Sequence, residues 1–326
     1  MKKFALAAVA AASMFCAGAQ AYTTGIFSNG FVVPNVIHNG PSDTTAVGII
    51  SKGNAGNPRS IYWTFFDQNS THVTDGCFVV THNDYEPFVW SERSGTGLEG
   101  KRGYLVFSVG SPPAPGATTC PLTSAPGLGA GQPGNPGIAG SAFQVNLTNK
   151  DVAFVPVIDG NLTYAAGSEL TTLGPNSITA VAGAAQVIAA GPVIAGNPVM
   201  NMRYFIDGAA GGTETRIVVW STGDHRGTHT VNMFDDKQGR KSVNFELNHA
   251  ELDWFDPETI PGRPAGFVDG FIEWNPGAVV PADFATKGGV APALATGPGS
   301  VFTYSVIDAP AFGAVQTVLG AHHLAP

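Results

Sequence analysis

Apolar and polar positions along this chain alternate in short runs, broken every few residues by glycine, proline or asparagine. Ser242-Val243-Asn244-Phe245-Glu246-Leu247 alternates strictly, the two-residue period of a strand with one buried face. Val47-Gly48-Ile49-Ile50-Ser51, Phe78-Val79-Val80-Thr81-His82 and Tyr104-Leu105-Val106-Phe107 are brief apolar runs between turn residues, and read as strands too.

One predicted strand occurs twice. Ser60-Ile61-Tyr62-Trp63-Thr64-Phe65-Phe66-Asp67 is echoed by Thr228-His229-Thr230-Val231-Asn232-Met233-Phe234-Asp235, each closing on Phe-Asp before a polar turn. The flanks match in the same order. Val47–Ser51 corresponds to Ile217–Ser221, Phe78–His82 to Val243–Leu247, Gly103–Phe107 to Gly270–Trp274, and Gly140–Leu147 to Gly299–Val306. Five matched segments in one order point to an internal duplication. The copies also agree on facing: Val231 and Met233 occupy the positions of Trp63 and Phe65 and should point inward, with Thr230 and Asn232 outward.

Short strands between Gly/Pro turns predict an all-β protein, two tandem immunoglobulin-like antiparallel β-sandwich modules. Residues 22–158 form the first module and 200–326 the second, each long enough for its own core; one larger sandwich built from both halves stays open. The Ala/Gly-rich segment 159–199 is too apolar for a flexible linker and is expected to pack on a module. Within it, Ser177 to Ala190 reads either as an Ala-rich helix weakened by Gly183 or as one or two strands.

The first 21 residues carry a different signal. Lys2 and Lys3, the apolar run Phe4 to Cys16 and Ala19-Gln20-Ala21 have the layout of a signal peptide cleaved before Tyr22. The run is too short for a permanent span, and no later stretch is long enough for one. The chain is therefore expected to be exported, to the periplasm, cell surface or exterior, with no transmembrane segment after cleavage.

Composition narrows the partners. The formal charge is −8 with no basic block, which argues against nucleic acid and anionic membrane. Charged residues make up 12% of the chain, where about a quarter is usual. So little charge implies either a neutral polar surface or a surface covered in an assembly. Cys77 and Cys120 remain after cleavage and are expected to pair in an oxidising compartment. Strand register puts Cys77 on an outward face, within reach of a loop cysteine.

Candidate chemistry is sparse. Glu251, Asp253, Asp256 and Glu258 lie on one loop and would suit calcium if their oxygens converged; a solvated loop fits the same residues, and the spacing is not that of an EF-hand. Asp224, His225 and His229 invite a metal reading, but His229 takes the inward position of Ile61, which favours a hydrogen-bonded core histidine. His322-His323 reads as a loose tail. Trp63 and Trp274 are predicted core, leaving Trp90 and Trp254 beside the acidic loops as a ligand surface, for instance for sugar stacking. There is no G-x-S-x-G, H-E-x-x-H or P-loop. The leading expectation is a non-enzymatic cell-envelope or extracellular structural or adhesion protein, acting by self-association or contact with other envelope or matrix components. It requires no cofactor. A calcium- or carbohydrate-binding module is the alternative, and a hydrolase unmarked by motif the third.

Overall fold

A computed structural model describes residues 26–53, 58–95, 97–126, 135–148, 150–188, 199–207, 212–276, 298–309 and 316–324. The signal-peptide reading therefore lies outside the described residues. The chain is all-β, and its larger sheets are antiparallel.

The first eight strands are β1 (Gly30–Val36), β2 (Asp43–Lys52), β3 (Arg59–Asp67), β4 (His72–Val80), β5 (Asp84–Val89), β6 (Gly103–Val109), β7 (Gly137–Asn146) and β8 (Asp151–Val155). They form two sheets, β5-β2-β7-β8 and β4-β3-β6-β1. Between these sheets lie Phe31, Trp63, Phe65, Phe88 and Phe107, all buried. Phe31 stacks on Phe107 with centroids 4.9 Å apart, and Phe88 meets Phe107 edge-on at 5.0 Å. Gly140 admits this packing, because a Cβ there would stand 2.4 Å from the Phe31 ring.

A connecting hairpin follows, β9 (Leu162–Tyr164) with β10 (Ile178–Val181), and then β11 (Ala185–Ile188). The segment 177–188 is thus strand and turn, not helix. The β-branched run Ile178-Thr179 and Val181 favours extended backbone, and Gly183 sits where a Cβ would be 1.9 Å from the Asp159 carbonyl oxygen. The segment does pack, as its apolar content requires: Leu162, Leu170, Leu173, Ile178 and Val181 are buried in the first core.

The remaining strands are β12 (Val199–Phe205), β13 (Glu214–Ser221), β14 (Gly227–Asp235), β15 (Arg240–Leu247), β16 (Leu252–Phe255), β17 (Asp269–Trp274), β18 (Pro298–Asp308), β19 (Gln316–Gly320) and β20 (His322–Leu324). One sheet runs β16-β13-β18, with β11 and β19 both paired to β18; the other runs β15-β14-β17-β12-β20. Read β12 to β19 against β1 to β8, and the pairing order of the first two sheets recurs. The tail is not loose: His322 pairs with Asn201 at the edge of this last sheet.

The strand order is not that of an immunoglobulin domain. There, hairpins flank the central pair of the A-B-E-D sheet. Here β2 and β5 pair across the intervening β3–β4 hairpin, which lies in the opposite sheet, so one long hairpin is folded over both layers. The facing along β14 is as its alternation dictates. Val231 and Met233 are buried and Thr230 exposed. On β3, by contrast, Arg59 to Phe66 are buried throughout, because the outer face of that sheet is covered as well.

Candidate functional site

The acidic loop turns out to be a joint between the two sandwiches. Glu251 is buried and accepts hydrogen bonds from the Tyr104 hydroxyl at 2.6 Å and from the Ser70 hydroxyl. The amides of Glu251 and Leu252 both donate to the Gln68 carbonyl at 3.2 Å, and the Ala250 amide donates to Asn69 Oδ1. The β3–β4 turn of the first sandwich is thereby held against the start of β16. Burial, and next the negative charge of Glu251, push the Tyr104 hydroxyl well above its ordinary pKa, so it stays a donor.

The other carboxylates have separate duties. Asp253 is buried and accepts from the amides of Asn248, His249 and Trp254, folding its own loop. Asp256 accepts from the Glu258 amide at 2.7 Å and caps the single 3₁₀ turn Pro257–Thr259; burial raises its pKa. Glu258 is exposed. Among the described residues no three His, Cys, Asp or Glu side chains converge on a metal position, so the four-carboxylate calcium cage is not assembled.

The tryptophan pair is not a surface either. Trp90 is fully buried, because the strand ends there in the short helix α1 (Trp90–Arg93), which turns the indole inward against Phe65 at 4.5 Å and Trp63 at 6.0 Å. Trp254 is half-buried, with the Arg102 guanidinium 3.6 Å from its ring centroid. That cation–π contact again crosses the joint. Trp220, two residues along β13 from Trp254's cross-strand partner Val218, meets Tyr104 edge-on at 5.8 Å. Val218, Trp220, Leu252, Phe302 and Tyr304 thus belong to the same buried cluster as Tyr62, Phe66, Tyr104 and Val106.

The histidines are structural. His229 Nε2 donates to the His225 carbonyl at 2.8 Å, and its ring stacks on Phe245; desolvation lowers its pKa. His225 Nδ1 meets the Ser221 hydroxyl, and Asp224 pairs with Arg226. Cys77 and Cys120 form a disulfide. Cys77 pairs with Tyr62 across the sheet, and the Tyr62 hydroxyl donates to the Pro121 carbonyl at 2.7 Å. The bridge therefore pins the loop after β6 over the outer face of the β3 sheet.

One surface was missed from sequence. The outer face of the β5-β2-β7-β8 sheet exposes Ile50 (43%), Tyr85 (61%), Phe143 (37%), Val152 (60%) and Phe154 (44%). These residues share that face by register: Ile50 pairs with Tyr85, Phe143 with Phe154 and Val145 with Val152. Ala46, Gly48 and Ser141 lie between them, and no charged residue takes an outward position until Lys52 at the border. Val152 and Phe154 alternate with buried Ala153 and Val155. A run apolar on both faces was the available signal, and in isolation it reads as a buried strand.

A contiguous apolar patch on an exposed sheet is what a binding surface looks like before its partner arrives. No protein-family model matches the chain, and no curated protein was found to be similar to it.

Proposed function

We propose that this chain is an exported, non-enzymatic structural or adhesion protein of the cell envelope or extracellular space, built from a duplicated sandwich and working by self-association. The apolar outer face of the β5-β2-β7-β8 sheet carries the reading. A soluble single-chain protein rarely keeps a charge-free face with five large side chains in water. The low charge of the chain is concentrated in effect here, where a partner would remove the face from solvent. The recurrence of strand order from β1–β8 to β12–β19 supports the duplication. The contact runs through a sheet face and buries apolar side chains, whereas strand addition at an edge would use the unpaired backbone groups there and leave this face in water.

Static light scattering of the chain from Tyr22 over a concentration series tests this. Mass rising well past a single chain is the expected result. A single chain at every concentration, with the face still exposed to a hydrophobic dye, would overturn self-association.

A further inference from the structure

We infer that the exposed face of the β5-β2-β7-β8 sheet receives the outer face of the β15-β14-β17-β12 sheet of a second copy, so that chains join head to tail. The inference rests on the self-association proposed above and names its partner surface.

The chain already contains one joint of this kind. Ile50 pairs with Tyr85 and Ala139 across its sheet; at the matching position Trp220 pairs with Leu252 and Phe302. Val47, Ile49 and Ser51 are buried beside Ile50, as Ile217, Val219 and Ser221 are beside Trp220. Further along, Phe143 pairs with Phe154, and Val306 with Val318; strand register thus sets Phe143 against Val306, four residues on from Phe302, its counterpart in the sequence match. The side chains exposed on the first sandwich therefore stand where the second has Trp220, Leu252, Val306 and Val318. That second set is packed in the joint between the sandwiches.

The central aromatic pair of the receiving half recurs too, while Thr230 and Glu273 stand at the positions of Tyr62 and Val106. Phe66 pairs with Tyr104 and stacks on it at 5.1 Å and 15°, and Trp220 abuts this pair. In the second sandwich Phe234 pairs with Phe271 and stacks at 4.7 Å and 11°. Phe66 and Tyr104 are buried, but Phe271 is 37% exposed. One chain thus carries a free inserting face on its first sandwich and a free receiving face on its second. Two different patches meeting between identical chains make a heterologous contact, which propagates into a filament unless it closes on itself as a ring.

Two variants decide it. Ile50→Lys blocks the inserting face and Phe271→Lys the receiving face, both at exposed positions, with melting curves to verify folding. Each variant alone is expected to stay a single chain. Mixed in equal amounts they should give dimers and nothing larger, since only one intact pair of faces remains. The mass then doubles and stops. If Phe271→Lys assembles like the unmodified chain while Ile50→Lys does not, the apolar face pairs with itself; the head-to-tail joint falls and self-association stands. A mixture that stays single-chain, or two variants that both assemble normally, also overturns the joint. An unmodified chain that never assembles overturns both readings. Should either variant misfold, Phe154→Lys and Phe205→Lys, also on exposed outer positions, replace them with the same expected pattern.

Discussion

His229 shows how a buried polar side chain sets a pH limit. Its Nε2–H is satisfied by the His225 carbonyl, while Nδ1 is buried without a hydrogen-bond partner. Protonation would add a second donor with no acceptor, so burial lowers the pKa. A group with a depressed folded-state pKa stabilises the fold above its unfolded value of about 6.5, and that stability is lost as pH falls below it. Urea titrations at pH 7.5 and 5.5 should show the loss, and His229→Leu should reduce it; an unchanged pH slope in the variant would mean the ring titrates freely. Tyr104→Phe tests the joint in the same spirit. It removes a donor from buried Glu251 and should cost about 1–3 kcal/mol by denaturant unfolding. Residues such as Val231, Met233 and Cys77 were legible because a strand's period fixes their facing. Trp90 was not, because the turn into α1 depends on the aromatic cluster it enters.

The covalent and connecting elements explain why the outer face of the β3 sheet is closed. The disulfide spans a sequence separation of 43 residues, and in the chain-entropy treatment a loop of that size stabilises by about 4 kcal/mol. Cys77→Ser with Cys120→Ser should lower the guanidinium midpoint accordingly, and a shift worth less than about 1 kcal/mol would show that the loop after β6 is held by its other contacts. The pairing was legible from compartment and register together. The connecting segment was legible only as something that packs. Its ambiguity between helix and strand was resolved by contacts far along the chain: Thr222 Oγ1 donates to the Thr179 carbonyl, and the Val181 amide to Ser300 Oγ.

Two positions that match in the recurring strand order should behave differently because one is inside the joint and one is outside. Trp220→Ala should cost about 3–5 kcal/mol through the cavity it leaves and loosen the two sandwiches, seen as a larger radius of gyration in solution scattering. Ile50→Ala, at the matching exposed position, should stay within about 0.5 kcal/mol at concentrations where the chain is single. Equal costs would deny the difference between the two faces. The all-β, antiparallel character of the chain was readable in its alternation and its Gly/Pro turns. The strand order within each sandwich and the docking of one on the other were not, since alternation reports which residues face inward but not which sheet a strand joins.

The connecting segment has a mechanical consequence. Asn29 holds Leu162 by two hydrogen bonds on the first sandwich, and beyond the β9–β10 hairpin β11 runs antiparallel to β18 of the second. The strap is thus stitched into both bodies. Tension applied across the joint would load the β11–β18 ladder before the apolar faces could part. In a stack of such chains, the contacts within each chain would be reinforced and those between chains would yield first. A fibre made this way would break into intact units and re-form from them.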